Sequence, residues 1–220
     1  MNVKQIIAST VAKHLNEGEI VNLGIGIPTL VTEYLPDDSS IYIHSENGIL
    51  GVASVPEDQE PDFDLVNAGK IPVGINEGAS FFDSADSFAM IRGGHVDVAV
   101  IGALEVDRKG RIANWSVPGK NVLGVGGAMD LVEGVGRVII ATTHTTKDGL
   151  PKIVEQANYP LTSQRSVDLI ITELATFRVK EHQLILSELA DGVTIKEVKR
   201  KTAAKFTIDL TESSKEISVS

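Results

Sequence analysis

The chain has 220 residues, of which 42% are hydrophobic, and its 20 Lys and Arg stand against 30 Asp and Glu, for a formal net charge of −10. This acidity argues against a nucleic acid or an anionic membrane as the main partner, because both are bound through dense Lys and Arg. The absence of cysteine excludes disulfides, cysteine metal sites and a thiol nucleophile. The five His are scattered and form no His-x-x-x-His pair, so we predict no metal site.

The sequence shows neither a membrane span nor a signal peptide. Its apolar runs fall short of the roughly 18 residues that cross a bilayer. At the N-terminus Val3, Ile7 and Val11 follow helical spacing with lysines between them. We therefore expect a cytoplasmic protein with one large domain over residues 1–210 and a polar tail over 211–220.

The first third of the chain predicts a strand–turn–helix unit and the strand that follows it. Residues 3–16 have the spacing of an amphipathic helix that ends at a glycine. An apolar strand over 19–23 runs into a glycine turn, and Pro28 suits the first turn of a second helix that continues to Leu35. An alternating strand over 40–44 comes next.

The middle third continues this alternation. Residues 52–64 are polar and predict a surface loop, 64–70 a short strand, and 80–92 an amphipathic helix. The near-continuous apolar run 96–102 is typical of a strand buried on both faces, and 104–115 predicts a hairpin. The helix residues expected to be buried are Phe81, Phe82, Ala85, Phe88, Ala89 and Met90.

The last third predicts two more helices. A glycine turn opens a helix near Ala128, residues 143–165 form a loop-rich stretch, and Thr194 with Glu197 predicts a capping box for a helix that reaches residue 201. The further strands expected here are 137–142, 168–172 and 184–186.

This order of elements predicts an α/β fold. Because strands alternate with helices, and several of the turns between them contain glycine, we expect a single domain on a largely parallel open sheet with glycine-rich βα turns, related to the Rossmann fold. In such sheets ligands bind at the carboxyl ends of the strands.

Two glycine turns raise the question of a nucleotide. Gly24 and Gly26 follow a strand, but the dinucleotide fingerprint needs a third glycine where Thr29 stands, and no P-loop is present. A turn of this kind at a helix N-terminus suits a phosphate or an oxyanion. The same holds for Gly126, Gly127 and Ala128. Tight turns and close packing explain either stretch as well, and both interpretations stay open.

The most informative stretch is Ser45-Glu46-Asn47-Gly48, directly after the strand over 40–44. A strand that ends at a glutamate places the carboxylate at the edge of the sheet, where it meets a ligand while the strand fixes its backbone. Gly48 permits a sharp turn behind it. The competing interpretation is an ordinary Asn-Gly turn with a solvated glutamate.

At this point the residues match a known family. In order and spacing, nearly the whole chain to about Thr202 resembles the B (beta) subunit of family I coenzyme A transferases of the 3-oxoacid type, which use succinyl-CoA or acetate with acetoacetate or butyrate. The stretches that carry the resemblance are Asn22-Leu23-Gly24-Ile25-Gly26-Ile27-Pro28-Thr29, Ser45-Glu46-Asn47-Gly48, Asn67-Ala68-Gly69-Lys70, Met90-Ile91-Arg92-Gly93-Gly94-His95, Ala113-Asn114-Trp115, Pro118-Gly119-Lys120 and Gly126-Gly127-Ala128-Met129-Asp130-Leu131.

The resemblance implies a role for each matching position. Glu46 is the expected nucleophile, which becomes a glutamyl-CoA thioester. The expected CoA contacts are Asn22, Gly24, Gly26, Lys70, Gly126, Gly127 and Ala128. CoA and acyl-CoA are then substrates, and no cofactor or metal is expected. The implied partner is a separate A (alpha) subunit, two A and two B chains forming an α2β2 enzyme, without which this chain is inactive.

Some positions stand apart from these roles. Thr143 lies where the family commonly has an acid, which bears on acid specificity. We expect His44 to point to the face of its strand opposite Glu46 and, like His95 and Trp115, to be structural. Arg92 is expected in a structural ion pair and Asp130 at a helix N-terminus.

Two other functions compete with CoA transfer. The first is an acyl-CoA hydrolase on the same fold, in which water resolves the thioester on Glu46. The second is a non-catalytic regulator that binds a nucleotide or a sugar phosphate, for which Glu46 is dispensable.

Overall fold

The structure, a computed structural model, describes residues 1–36, 38–56, 58–119 and 124–210. The predicted polar tail, 211–220, and Lys120 of the Pro118-Gly119-Lys120 stretch lie outside the described residues.

A ten-stranded sheet forms the centre of the described part of the chain. Its strands are β1 (Ile20–Leu23), β2 (Tyr42–Ser45), β3 (Ile49–Ala53), β4 (Gly74–Phe81), β5 (Val98–Ile101), β8 (Arg137–Ala141), β10 (Leu169–Ile171), β11 (Ala175–Lys180), β12 (Gln183–Leu189) and β13 (Thr207–Ile208). The five middle strands are parallel and stand in the order β10-β8-β5-β1-β2. Antiparallel pairing adds β3 and β4 at one edge and β11 and β12 at the other, where β13 is parallel at the end. The predicted α/β fold on a largely parallel sheet is confirmed.

A small second sheet lies beside the main one. It consists of β6 (Glu105–Asp107), β7 (Ile112–Ala113) and β9 (Ile153–Val154) in the order β7-β6-β9. The antiparallel pair β6–β7 confirms the hairpin predicted over 104–115.

The helices cover both faces of the main sheet. They are α1 (Val3–Ala12), a 3₁₀ helix (Ile27–Tyr34), α2 (Ser84–Arg92), α3 (Ala128–Gly134) and α4 (Ile195–Lys201). On one face Ile7 and Val11 of α1 pack with Val21 and Val100 of the sheet. On the other face α2, α3 and α4 pack over Ala99, Val138 and Ile140. Because both faces are covered, the middle strands are apolar on both sides.

The N-terminal half of the chain holds most of the wrong predictions. Residues 49–53 and 74–81 form two strands that were not predicted, whereas the strand expected over 64–70 is a turn. The helix expected over 80–92 begins at Ser84, since its first residues still belong to β4. The second helix, expected from Pro28, is a 3₁₀ helix.

The buried side predicted for α2 is also wrong except at Phe88, which is half-buried and packs against the core. The residues of α2 that are buried are Ser87 and Ile91, while Phe81 is exposed and belongs to β4. At α4 the Thr194 side chain accepts from the Glu197 backbone N–H at 3.2 Å, but the Glu197 carboxylate accepts from Lys201 instead of closing a capping box.

Candidate active site

Glu46 lies at the carboxyl end of β2, as the sequence predicts, and its side chain is half-buried. The backbone reverses directly behind it: the Gly48 N–H donates to the Ser45 carbonyl at 2.9 Å, and Gly48 adopts φ +119°. A Cβ at Gly48 would lie 2.0 Å from the Phe82 carbonyl oxygen. The turn that carries Glu46 is therefore packed against the end of β4 and depends on glycine.

Asn22 contacts Glu46 through the parallel pairing of β1 with β2. In this register Asn22 stands opposite His44, two residues before Glu46. Its Nδ2 donates to Glu46 Oε2 at 3.0 Å, and its side chain is fully buried. Among the described residues, Asn22 Oδ1 is the one buried side-chain polar atom without a hydrogen-bond partner. A buried acceptor in this state normally finds a partner in a ligand or in water.

The glycine turn at Gly126 and Gly127 lies beside the Glu46 carboxylate. A Cβ built on Gly127 would lie 3.9 Å from Glu46 Cγ and 2.8 Å from the ring of Phe88, so a larger residue here would have to displace that ring. Gly126 adopts φ +58°, and α3 begins at Ala128. The structure therefore brings this predicted turn to Glu46.

The first glycine turn and the loop that carries Lys70 lie next to each other. The Gly24 N–H donates to the Val100 carbonyl at 2.8 Å, and Gly26 precedes the 3₁₀ helix with φ +98°. A Cβ built on Gly69 would lie 3.5 Å from Ile25 Cγ1. The turn between Gly24 and Gly26 thus contacts the residue before Lys70.

The side chains on either side of Glu46 anchor the Lys70 loop. Ser45 Oγ accepts from the Ala68 N–H at 2.9 Å, and Asn47 Nδ2 donates to the Val66 carbonyl at 2.7 Å. Lys70 is exposed and holds φ +61°, a conformation that a non-glycine residue adopts at a cost. Sequence reasoning missed the anchoring roles of Ser45 and Asn47, because the partners lie in a turn that was predicted as a strand.

The position predicted for His44 is wrong. Side chains two residues apart on a strand share a face, so His44 and Glu46 point the same way. His44 Nδ1 lies 3.1 Å from Asn22 Nδ2, and its Nε2 lies 3.1 Å from Ser87 Oγ on α2. The contribution of Ser87 carried no sequence signal, because the buried face of α2 was misassigned.

Two further expectations concern the helices above the site. Arg92, at the end of α2, donates from Nε to Asp130 Oδ1 at 2.7 Å, which confirms the predicted ion pair. Asp130 lies in the first turn of α3, as predicted for a residue that stabilises a helix N-terminus.

Over the described ranges, no set of three or more His, Asp or Glu side chains is arranged to hold a metal ion. The helices in those same ranges are all too short or too polar to cross a membrane.

Comparison with known proteins identifies the family. A family model described as coenzyme A transferase matches residues 4–201. The chain belongs to the coenzyme A transferase family.

Individual members of the CoA transferase family resemble this chain over most of its length. The beta subunit of the acetate CoA-transferase of Escherichia coli (strain K12) is 51% identical over 208 residues, 94% of this chain and 95% of that protein. The B subunit of the succinyl-CoA:3-ketoacid coenzyme A transferase of Helicobacter pylori (strain ATCC 700392 / 26695) is 46% identical over 208 residues, 94% of this chain and 100% of that protein.

A solved structure shows the same fold. The apoenzyme of an acyl-CoA transferase from Escherichia coli O157:H7 superposes with a TM-score of 0.75 at 22% identity. The match covers 96% of this CoA transferase chain and 43% of that longer chain. The chain therefore spans less than half the length of that solved protein.

The site of this CoA transferase chain contains a histidine that resists protonation. Burial lowers the pKa of His44 from 6.5 to about 4. Away from the site, burial likewise lowers the pKa of His144 to about 4, and the nearby Lys201 adds to the effect while Glu197 opposes it. Both rings are therefore neutral in the folded chain at neutral pH.

We expect the free energy of unfolding to fall as the pH drops from 7 to 5. Over this interval the unfolded chain takes up protons on His44 and His144, whereas the folded chain takes them up only near pH 4, so acid favours unfolding. The loss is about 2 kcal/mol for each histidine. Urea denaturation at the two pH values measures it. His144→Phe should remove about half of the difference, and His182→Asn, at an exposed position, should leave it intact. Equal stability at pH 7 and pH 5 would contradict the neutral state of these rings.

Proposed function

We propose that this chain is the B subunit of an enzyme that moves CoA between carboxylic acids through a glutamyl-CoA thioester on Glu46. The observation that carries this proposal is the Glu46 carboxylate at the end of β2, bonded to Asn22 at 3.0 Å and adjoined by Gly127. The relatives are named for acetate and for succinyl-CoA with 3-ketoacids. On that basis the acids exchanged are a 3-oxo acid such as acetoacetate and either succinate or acetate.

The chemistry requires an ionised carboxylate and donors for an oxyanion. Glu46 attacks the thioester carbonyl of the acyl-CoA, which yields an acyl-glutamyl anhydride and CoA thiolate. The thiolate attacks the Glu46 carbonyl, releases the first acid and leaves CoA bound to Glu46 as a thioester. The second acid then reverses both steps. N–H donors stabilise each tetrahedral intermediate, typically by about 3–4 kcal/mol per donor.

Three parts of the chain support CoA binding. Asn22 bonds to Glu46 Oε2 at 3.0 Å, and its Oδ1 lacks a partner among the described residues, so its side chain lies where CoA would meet the carboxylate. The turn formed by Gly126, Gly127 and Ala128 passes beside Glu46, where side chains would obstruct a thioester. Lys70, on a loop anchored to the residues that flank Glu46, offers a cation to a CoA carbonyl or phosphate.

The first glycine turn completes this binding surface. Gly24 and Gly26 lie between Asn22 and the 3₁₀ helix, next to the Lys70 loop. CoA and acyl-CoA are substrates in this reaction, which requires no separate cofactor, since the carboxylate itself carries CoA between the acids.

The partner is a separate A (alpha) subunit. The relatives that match over nearly their full length are named as beta or B subunits. We propose that two A and two B chains form an α2β2 enzyme, in which the A subunit completes the oxyanion site and contributes to acid selection.

The test is direct observation of the thioester. The chain is purified together with its A subunit and incubated with acetoacetyl-CoA or succinyl-CoA, and peptide mass spectrometry then looks for CoA on Glu46. We expect an adduct that disappears when a free carboxylic acid is added. An adduct lost equally fast without acid would indicate a hydrolase. A folded complex that forms no adduct with either acyl-CoA would overturn the mechanism.

A further inference from the structure

A line of buried hydrogen bonds runs from the Glu46 carboxylate to α2. Glu46 Oε2 accepts from Asn22 Nδ2 at 3.0 Å, Asn22 Nδ2 lies 3.1 Å from His44 Nδ1, and His44 Nε2 lies 3.1 Å from Ser87 Oγ. We propose that His44, held by Ser87, is a positioning residue that fixes the Asn22 amide on Glu46 for thioester formation. This inference rests on the proposed function of Glu46.

The contacts of Asn22 determine which way its amide points. Its Nδ2 faces the carboxylate of Glu46 and, at 3.4 Å, the backbone carbonyl of His44, and both of these groups only accept hydrogen bonds. The reversed amide would set Oδ1 against the carboxylate. The nitrogen therefore faces Glu46 with one N–H, and its other N–H is shared between His44 Nδ1 at 3.1 Å and the longer contact to the His44 carbonyl.

The protonation of His44 follows from this orientation. Because the Asn22 amide donates, His44 Nδ1 must accept and carries no proton. The proton of the neutral ring is then on Nε2, which donates to Ser87 Oγ. A doubly protonated ring would set an N–H against the amide N–H of Asn22 and lose this hydrogen bond. The bare Nδ1 of His44 thus supports the same amide orientation that serves Glu46.

The surroundings hold His44 in place and keep water out. His44 is 1% exposed, Asn22 and Ser87 are fully buried, and the His44 ring stacks on Phe82 with 6.0 Å between centroids. Rotation of the ring would leave Asn22 Nδ2 with one acceptor fewer in a dry site, where an unmade hydrogen bond is costly. Ser87 belongs to α2, so this helix contributes to catalysis without touching the substrate.

The test compares variants in the A–B complex. His44→Leu removes the acceptor and keeps an apolar side chain of similar bulk; we expect the single-turnover rate of CoA adduct formation on Glu46 to fall about 10- to 100-fold. Ser87→Ala should lower this rate about 3- to 10-fold. His44→Asn, whose Oδ1 takes the place of Nδ1, should restore most of the rate lost in His44→Leu. A purely structural role for His44 predicts no such recovery.

Matched controls separate positioning from general loss of packing. His144 is equally buried and its ring nitrogens contact Thr172 and Thr202 at 2.9 Å each, away from Glu46, so His144→Leu controls for the loss of a buried imidazole. Ser187→Ala likewise removes one buried hydroxyl, bonded to the Thr176 carbonyl at 3.1 Å. Adduct formation in these two variants should stay within about 2-fold of the wild-type rate. Wild-type rates in His44→Leu and Ser87→Ala would overturn the positioning role.

A spectroscopic measurement tests the arrangement without relying on turnover. In the complex labelled with ¹⁵N-histidine, we expect the His44 signal to show a protonated Nε2 and a bare Nδ1 across neutral pH. A protonated Nδ1 would overturn the inference. If the wild-type complex forms no adduct at all, the proposed function fails, and the tautomer still decides whether His44 orients Asn22.

Discussion

Replacing Glu46 with glutamine is expected to lower acid-dependent CoA transfer by at least about 10³-fold and to eliminate the CoA adduct. The amide has the size of the carboxylate, and its oxygen still accepts from Asn22 Nδ2, so the fold is kept. What is lost is the carboxylate oxygen that attacks the thioester in the proposed mechanism. Turnover of acetoacetyl-CoA with succinate or acetate, followed together with intact mass, measures both effects in the A–B complex.

Two companion variants sharpen this result. Glu46→Asp keeps the carboxylate but moves it back by one methylene from the position set by Asn22. A displacement of this size should lower the rate of CoA transfer about 10²-fold. Glu60→Gln removes a carboxylate from an exposed loop and should leave the rate unchanged. Near-normal transfer by Glu46→Gln would refute the covalent mechanism and favour the non-catalytic binding protein.

Gly48→Ala is expected to destabilise the chain by about 3 kcal/mol or more and to abolish adduct formation with it. The methyl group would lie 2.0 Å from the Phe82 carbonyl oxygen, and the residue would have to hold φ +119°. Either the β2–β3 turn or the end of β4 must move, and Glu46 lies two residues away. Urea denaturation measures the loss of stability, and peptide mass spectrometry measures formation of the CoA adduct.

Gly78→Ala supplies the matched control. Gly78 lies in β4 with φ +82°, but nothing would contact its added Cβ within 4 Å. Only the backbone strain remains, so we expect a loss of about 1 kcal/mol and unchanged adduct formation. If both variants lose the same stability, the close approach of Gly48 to Phe82 does not constrain the turn.

The sequence predicts the middle of the sheet well and its edge at β3 and β4 badly. β5 and β8 are buried on both faces, so each is a continuous apolar run that is visible without its neighbours. β4 is held by its hydrogen bonds to β3, but it carries exposed polar residues and two glycines. No hydrophobic pattern in the sequence therefore marks it as a strand. Its pairing is decided by tertiary contacts, which override a weak local preference.

Some contacts of the candidate site can likewise be predicted from the sequence, and others cannot. That Asn22 and Glu46 meet follows from two predicted parallel strands once their register is known. The contacts of His44 were not predicted because His44 was assigned to the wrong face of its strand. The contact of Ser87 was not predicted because the start of α2 was placed four residues early. Side chains that act from a neighbouring element leave no spacing in the sequence to detect.

The pairing of β1 with β2 also bears on how the active chain arises during folding. Asn22 and Glu46 are 24 residues apart, and β1 must also pair with β5, which begins at Val98. A shift of β1 by a single residue would reverse its faces and bring Val21 or Leu23 against Glu46. A nascent or misregistered chain thus lacks an oriented carboxylate, so the proposed thioester would form only on molecules whose central sheet has closed correctly.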